Sequence, residues 1–284
     1  MILQKEILKI ARAELVKTKT IDKDWILGHF LNAMFSIESV RRNFVFKGGT
    51  CLRKCYINNY RFSEDLDFTL LDNNFQVDLK FIKSVIKIAE YTSGAKFYFE
   101  RKKLQKFKDE DQGYELLIKF WGADHKKHQQ PLLPSRWQTA IKIDISFSEK
   151  LLTPVEFKPI FHNYSDKKEI SQIVPVYALN EIISEKLRAL IQRNRPRDIY
   201  DIWNLLNHYQ EIDYLVIKEL LFQKAEDKNI KIIDVNDFVN AEKERKNNRA
   251  WQSSLADHLP EHKLPDFEIV YQAVKEFIVK ILYA

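Results

Sequence analysis

Apolar residues recur at helical spacing near the start of the chain. Residues 1–17 and 24–42 read as helices, the second with an apolar band of Trp25, Ile26, Phe30, Met34, Phe35 and Ile37. After residue 43 the period shortens. "FVFK" at 44–47 is a short strand-like run, 66–71 a strand, 76–92 a helix, and 96–102 and 114–121 two more strands. "AIKIDISFS" at 140–148 alternates strictly and is the clearest strand in the chain. Prolines at 154, 159 and 175 mark a looser stretch, beyond which "ALNEIISEKLRALIQR", "RDIYDIWNLLNHY" and the remainder are helical. The pattern predicts an α+β protein: a domain over 1–175 with a small mixed sheet and flanking helices, then a helical C-terminal domain over 176–284.

The two predicted strands carrying acidic residues have a second regularity. In 66–71, Leu66, Phe68 and Leu70 point one way, while Asp65, Asp67 and Thr69 share the opposite face. Two carboxylates then stand about 7 Å apart and repel. In "AIKIDISFS", Ile141, Ile143 and Ile145 oppose Lys142, Asp144 and Ser146, adding a third carboxylate beside a lysine. A solvated strand edge accounts for either pattern alone. A magnesium ion resolves the repulsion, since it takes one or two carboxylates together with phosphate oxygens.

Only six glycines occur in 284 residues, yet Gly48 and Gly49 stand together, just ahead of Thr50 and a helical-looking segment that runs to Ile57 with Thr50 as its N-cap. Glycines at such a point permit a tight strand-to-helix turn. They also let backbone N–H groups approach an anion, with Lys47 and the Thr50 hydroxyl as supplements. A phosphate cradle, two alternate carboxylates and a third from a later strand are the equipment of two-metal nucleotidyl transfer.

Charge and cysteine content narrow the classes. The net charge of +6 and a pI of about 9 fit an anionic partner, with local clusters at 101–108, 124–128 and 242–249 that serve equally as solvated faces. Cys51 and Cys55 lie one helical turn apart without further ligands, so they read as reduced packing residues rather than a zinc site. No apolar run is long enough to cross a membrane, and a soluble, cytoplasmic protein is expected.

In order, "KGGTCLRK", "RFSEDLDFTL", "IKIDIS" and "EKLRALIQRNRPRDIYDIW" resemble the successive motifs of the AbiEii/AbiGii toxin family of nucleotidyltransferases, over about residues 44–206. That family belongs to the DNA polymerase β-like nucleotidyltransferase superfamily and serves in toxin–antitoxin and phage-abortive systems. The resemblance implies that Gly48, Gly49 and Thr50 bind phosphate, that Asp65, Asp67 and Asp144 bind metal, and that Lys186, Asp198 and Asp201 belong to the catalytic set. Ser63 matches a hydroxyl position that is phosphorylated in some systems.

Lys186 also interrupts the apolar stripe Leu179, Ile182, Ile183 and Leu190, which predicts either an anionic partner, the NTP among them, or a stem that packs while its ammonium reaches water. Asp198 and Asp201 open a helix, where acidic residues are favourable for the dipole alone. The implied reaction transfers NMP from an NTP to an acceptor with Mg2+, or alternatively Mn2+. The leading acceptor is the 3′ end of tRNA, and an antitoxin encoded nearby is the implied protein partner. A protein or small-molecule hydroxyl as acceptor, or a non-catalytic nucleotide- or antitoxin-binding protein, are the alternatives.

Overall fold

The computed structural model describes residues 1–107, 113–126, 128–209 and 212–284. Lys127 and the side chains of the basic stretch 101–108 other than Leu104 lie outside them. The chain divides into two compact units, one of Met1–Glu149 and Val155–Val176, the other of Lys150–Pro154 and Tyr177–Ala284. Lys150–Pro154, which the sequence pattern puts in the first domain, belongs to the second unit.

The first unit begins with helices α1 (Gln4–Glu14), α2 (Thr18–Phe35) and α3 (Glu38–Asn43). The helix expected over 24–42 is thus two, because Ile37 is extended and the Ser36 hydroxyl donates to the Ala33 carbonyl, closing α2. Strand β1 (Phe44–Lys47) leads into α4 (Gly48–Cys51), which continues as a π-helical turn over Leu52–Tyr56. Then come β2 (Asp65–Leu70), α5 (Leu79–Ser93), β3 (Lys96–Phe107), β4 (Gly113–Trp121), β5 (Ala140–Ser146), β6 (Glu156–Pro159) and β7 (Ile173–Val176). Among the described residues these form a mixed seven-stranded sheet in the order β3-β4-β5-β2-β1-β7-β6.

The position of the acidic residues follows from which sheet face is covered. α2 and α5 pack on one face, where Phe30 and Met34, with Phe81, Ile82 and Val85, meet Leu116, Ile118, Ile143 and Ile145 around a small apolar cavity. Alternation then sends Glu115, Lys142 and Asp144 to the other face. Phe44, Phe68, Phe75 and Phe81 close the same core by ring contacts.

The second unit holds α6 (Leu179–Arg193), α7 (Pro196–His208), α8 (Tyr214–Glu226), α9 (Ala241–Leu255) and α10 (Phe267–Tyr283). α6 ends where Asn194 takes the left-handed conformation, and Pro196 opens α7 at a position where its missing N–H costs nothing. The segment 150–154 is tied in by buried Glu181, which accepts from the backbone N–H of Leu152 and Thr153 and pairs with Lys224 at 2.6 Å.

Candidate active site

The turn at Gly48 is shaped by a carboxylate. Gly48 has φ +79°, and a Cβ built there would lie 2.3 Å from Asp67 Oδ2, so glycine is required both by the backbone and by the approach of Asp67. A Cβ at Gly49 would come within 3.0 Å of both Arg61 Nη2 and Ser63 Oγ. The paired glycines thus bring the phosphate-cradle turn directly against an aspartate of the predicted metal set, with Arg61 and Ser63 beside it.

Thr50 departs from its expected role. The helical stretch starts at Gly48, with Lys47 in the capping position, and the buried Thr50 hydroxyl donates to the Asp65 carbonyl at 2.5 Å. The residue therefore fixes the start of β2 to the turn and is not the N-cap. Lys47 forms an ion pair with Glu149, a carboxylate that the sequence pattern did not single out. Cys51 and Cys55 are buried free thiols. Burial pushes the Cys51 thiol up, with Cys55 and the Asp67 charge adding to it, which suits a packing role.

Strand pairing aligns the acidic residues across the sheet. β2 pairs with β5 in parallel, placing Asp67 beside Asp144 and Asp65 beside Lys142. β1 pairs with β2 so that Lys47 is opposite Asp67, and β4 pairs with β5 so that Glu115 is opposite Asp144. One row therefore reads Lys47, Asp67, Asp144, Glu115 over four strands. Lys142 Nζ lies 2.9 Å from Asp144 Oδ2 and 2.9 Å from Glu115 Oε2. Burial pushes the Asp144 carboxyl up; Lys142 opposes this, while Glu115 and Asp65 reinforce it. Burial disfavours the Lys142 ammonium, but Asp144 and Glu115 outweigh it and hold the lysine above its ordinary range. Glu115 was legible in part, since Glu115 and Lys119, four apart in "GYELLIKFW", share one face of a strand whose other face is buried.

These carboxylates suit a divalent cation by donor type: hard oxygens on one face, in excess over cations. Asp65, Asp67 and Asp144 share this face without converging as tightly as a histidine group elsewhere. Among the described residues, His29, His162 and Asp166 bring one ligand atom each within 4.8 Å of one another. Proton accounting gives that group a different role. Asp166 only accepts, so His29 and His162 both donate from Nε2, at 3.0 and 3.1 Å, and Trp25 Nε1 donates as well at 3.0 Å. A metal on the two Nε2 atoms would move the protons to Nδ1, and both Nδ1 atoms are buried without a hydrogen-bond partner. The group is a carboxylate clamp joining α2 to the 160–166 segment.

Lys186, Asp198 and Asp201 come together in the second unit. Lys186 Nζ lies 2.7 Å from Asp201 Oδ2 and 3.2 Å from Asp198 Oδ1, with all three residues buried. Arg193 adds two bonds of 2.8 Å to the two oxygens of Asp198. Burial raises the Asp198 carboxyl, but Lys186 and Arg193 outweigh it and hold it below the usual carboxylate range. The short turn between α6 and α7 delivers Arg193 to Asp198, a contact readable from the five-residue separation once that turn is assigned.

A strand-to-helix glycine turn held against an aspartate adjoins acidic residues aligned on three neighbouring strands of a mixed sheet. The sequence profile of the family described as nucleotidyl transferase AbiEii toxin, type IV TA system, matches residues 29–273. The chain belongs to that family. A solved structure of MenT4, a nucleotidyltransferase toxin from Mycobacterium tuberculosis H37Rv, shares the fold: TM-score 0.68 at 18% identity, covering 100% of this chain and 91% of that one. No curated protein matches the chain. Among the described residues no helix is long and apolar enough to cross a membrane.

Proposed function

We propose that this toxin transfers NMP from an NTP to an RNA acceptor, with the 3′ end of tRNA as the leading candidate. The observation that carries the reading is the packing of the Asp67 carboxylate against Gly48, in register with Asp144 on the next strand. Asp65, Asp67 and Asp144 are the residues that would hold Mg2+ or Mn2+. When bound, such ions activate the acceptor hydroxyl and neutralise charge on the reacting phosphate and on pyrophosphate.

The remaining work falls to the chain itself. The backbone N–H groups of the turn at Gly48 and Gly49 meet the phosphates, and Arg61, beside Gly49, supplies positive charge there. Ser63, beside the same glycine, is a position where a phosphate would add about −1.5 to −2 charges next to the aspartates and oppose NTP binding. The family resemblance implies catalytic roles for Lys186, Asp198 and Asp201 as well, which lie together within the second unit. Their mutual ion pairs set the geometry in which Lys186 acts. The net charge of +6 favours a polyanionic acceptor.

The test is incubation of the protein with each α-labelled NTP, Mg2+ and total RNA. Label on RNA of tRNA size is expected. Label on protein only, or on nothing, contradicts the reading.

A further inference from the structure

Lys142 on the acidic face bonds to two carboxylates at once, Asp144 on its own strand and Glu115 on the neighbouring one, both at 2.9 Å. The three side chains are similarly half-exposed, at 34–38%. None is locked by burial, and the ammonium can redistribute between its partners by rotamer change alone. Lys142 thus already supplies a cation at the carboxylate that the proposed function gives to the metal. A divalent ion must displace it from Asp144.

We infer that Glu115 is a positioning residue that receives Lys142 when a divalent cation takes Asp144, so that Lys142 and Glu115 act together as a built-in exchange partner for the metal. The inference rests on the metal-binding reading of Asp65, Asp67 and Asp144. The geometry supports it because Glu115 faces Asp144 in register across β4 and β5, and the lysine therefore needs no backbone movement to keep an ion pair after leaving Asp144. Without Glu115 the displaced ammonium would lose its partner, and metal binding would carry that cost. In the metal-free protein the same lysine screens Asp144 from Glu115 and Asp65, and so limits repulsion on the face.

Mn2+ is a paramagnetic stand-in for Mg2+, and its binding can be measured by electron paramagnetic resonance. Each protein is examined with α,β-methylene analogues of the four NTPs: wild type, Glu115→Gln, Glu115→Asp, Lys142→Met, Asp144→Asn, and Glu115→Gln combined with Lys142→Met. Glu115→Gln should weaken Mn2+ binding about three- to fivefold, the scale of a half-exposed ion pair, and raise the metal concentration needed for half-maximal rate while kcat at saturating metal holds. Glu115→Asp should recover most of the affinity. The double variant should bind as Lys142→Met does, because the effect of Glu115 passes through the lysine. An unchanged affinity in Glu115→Gln overturns the inference, as does an equal loss in the Lys142→Met background, which would make Glu115 a simple long-range charge. Mn2+ affinity lost in Asp144→Asn but unmoved by Glu115→Gln would remove this inference alone. Wild-type protein without Mn2+ affinity would remove the metal reading together with it.

Discussion

The two ionic clusters of this protein use the same residue types to opposite ends. On the sheet face of the first unit, Asp65, Asp67, Asp144, Glu115 and Glu149 outnumber Lys47 and Lys142, and Asp144, Glu115 and Lys142 remain half-exposed. In the second unit, Lys186 and Arg193 balance Asp198 and Asp201, and Asp198 and Asp201 are 1% and 0% exposed. An excess of negative charge near water invites an added cation and tolerates loss of one carboxylate. A balanced buried set has no room for an imbalance, since a charge left without its partner there costs about 3–5 kcal/mol.

The largest expected effect is on catalysis. Asp65→Asn or Asp67→Asn should lower transfer by about 10²–10⁴-fold, the equivalent of several kcal/mol of lost charge stabilisation, while circular dichroism and metal-free melting remain as in wild type or improve as repulsion is relieved. Growth arrest on expression in bacteria should vanish with either substitution. A variant that turns over normally, or one that unfolds, breaks the contrast on its first side.

Lys186→Ala probes the second side. Two buried carboxylates would lose their shared cation, and Tm should fall by about 6–20 °C. Arg193→Ala, with a half-exposed side chain bonded to the same Asp198, should move in the same direction by less. Unchanged melting in Lys186→Ala would show that the cluster is no brace, and a raised KM for NTP in such a protein would give Lys186 to the nucleotide alone.

Gly48→Ala sharpens the first side at a single backbone position. Positive φ and the 2.3 Å approach to Asp67 oppose any Cβ, so a stability loss of about 1–3 kcal/mol is expected. The same substitution should abolish the metal-dependent gain in Tm by pushing Asp67 aside.

The smallest effect concerns pH. Burial lowers the His162 pKa in the folded state from 6.5, with Asp166 opposing, so His162 contributes stability above about pH 6.5 that is lost as pH falls below it. Asp22, raised by burial to about 7, runs the other way and loses stability as pH rises from 3.8 toward 7. The clean quantity is therefore the stability difference between wild type and His162→Gln, in which Asp22 cancels. That difference should shrink on going from pH 7 to pH 5; a constant difference would mean that His162 does not titrate between the states.

The carboxylate face was the more legible of the two clusters. Period-two alternation placed Asp65, Asp67, Lys142 and Asp144 on the sides of their strands where they stand, because face assignment needs only the local repeat. Which strands adjoin is a long-range fact, and the pairing of β2 with β5, or of Glu115 with Asp144, was not available from local pattern. Thr50 shows the same limit at one residue. Its type suited an N-cap, but the Asp65 carbonyl, brought near by the β1–β2 pairing, took its hydroxyl. Lys186 was conspicuous as a cation in an apolar stripe, and its partners lay within the quoted motif at Asp198 and Asp201. The Arg193 contact is not legible from the helix pattern, because the turn that folds it back onto Asp198 depends on Asn194 adopting a left-handed conformation.

The contrast is tested most directly by melting wild type, Asp67→Asn and Asp198→Asn, each with and without Mg2+ and NTP. Wild type should gain Tm with the ligands. Asp67→Asn should melt at or above the ligand-free wild type and gain nothing, and Asp198→Asn should melt well below it without ligands. A metal-dependent gain retained in Asp67→Asn, or a ligand-free loss there as large as that of Asp198→Asn, would contradict the assignment of the sheet face as the cation-binding, catalytic side of this toxin.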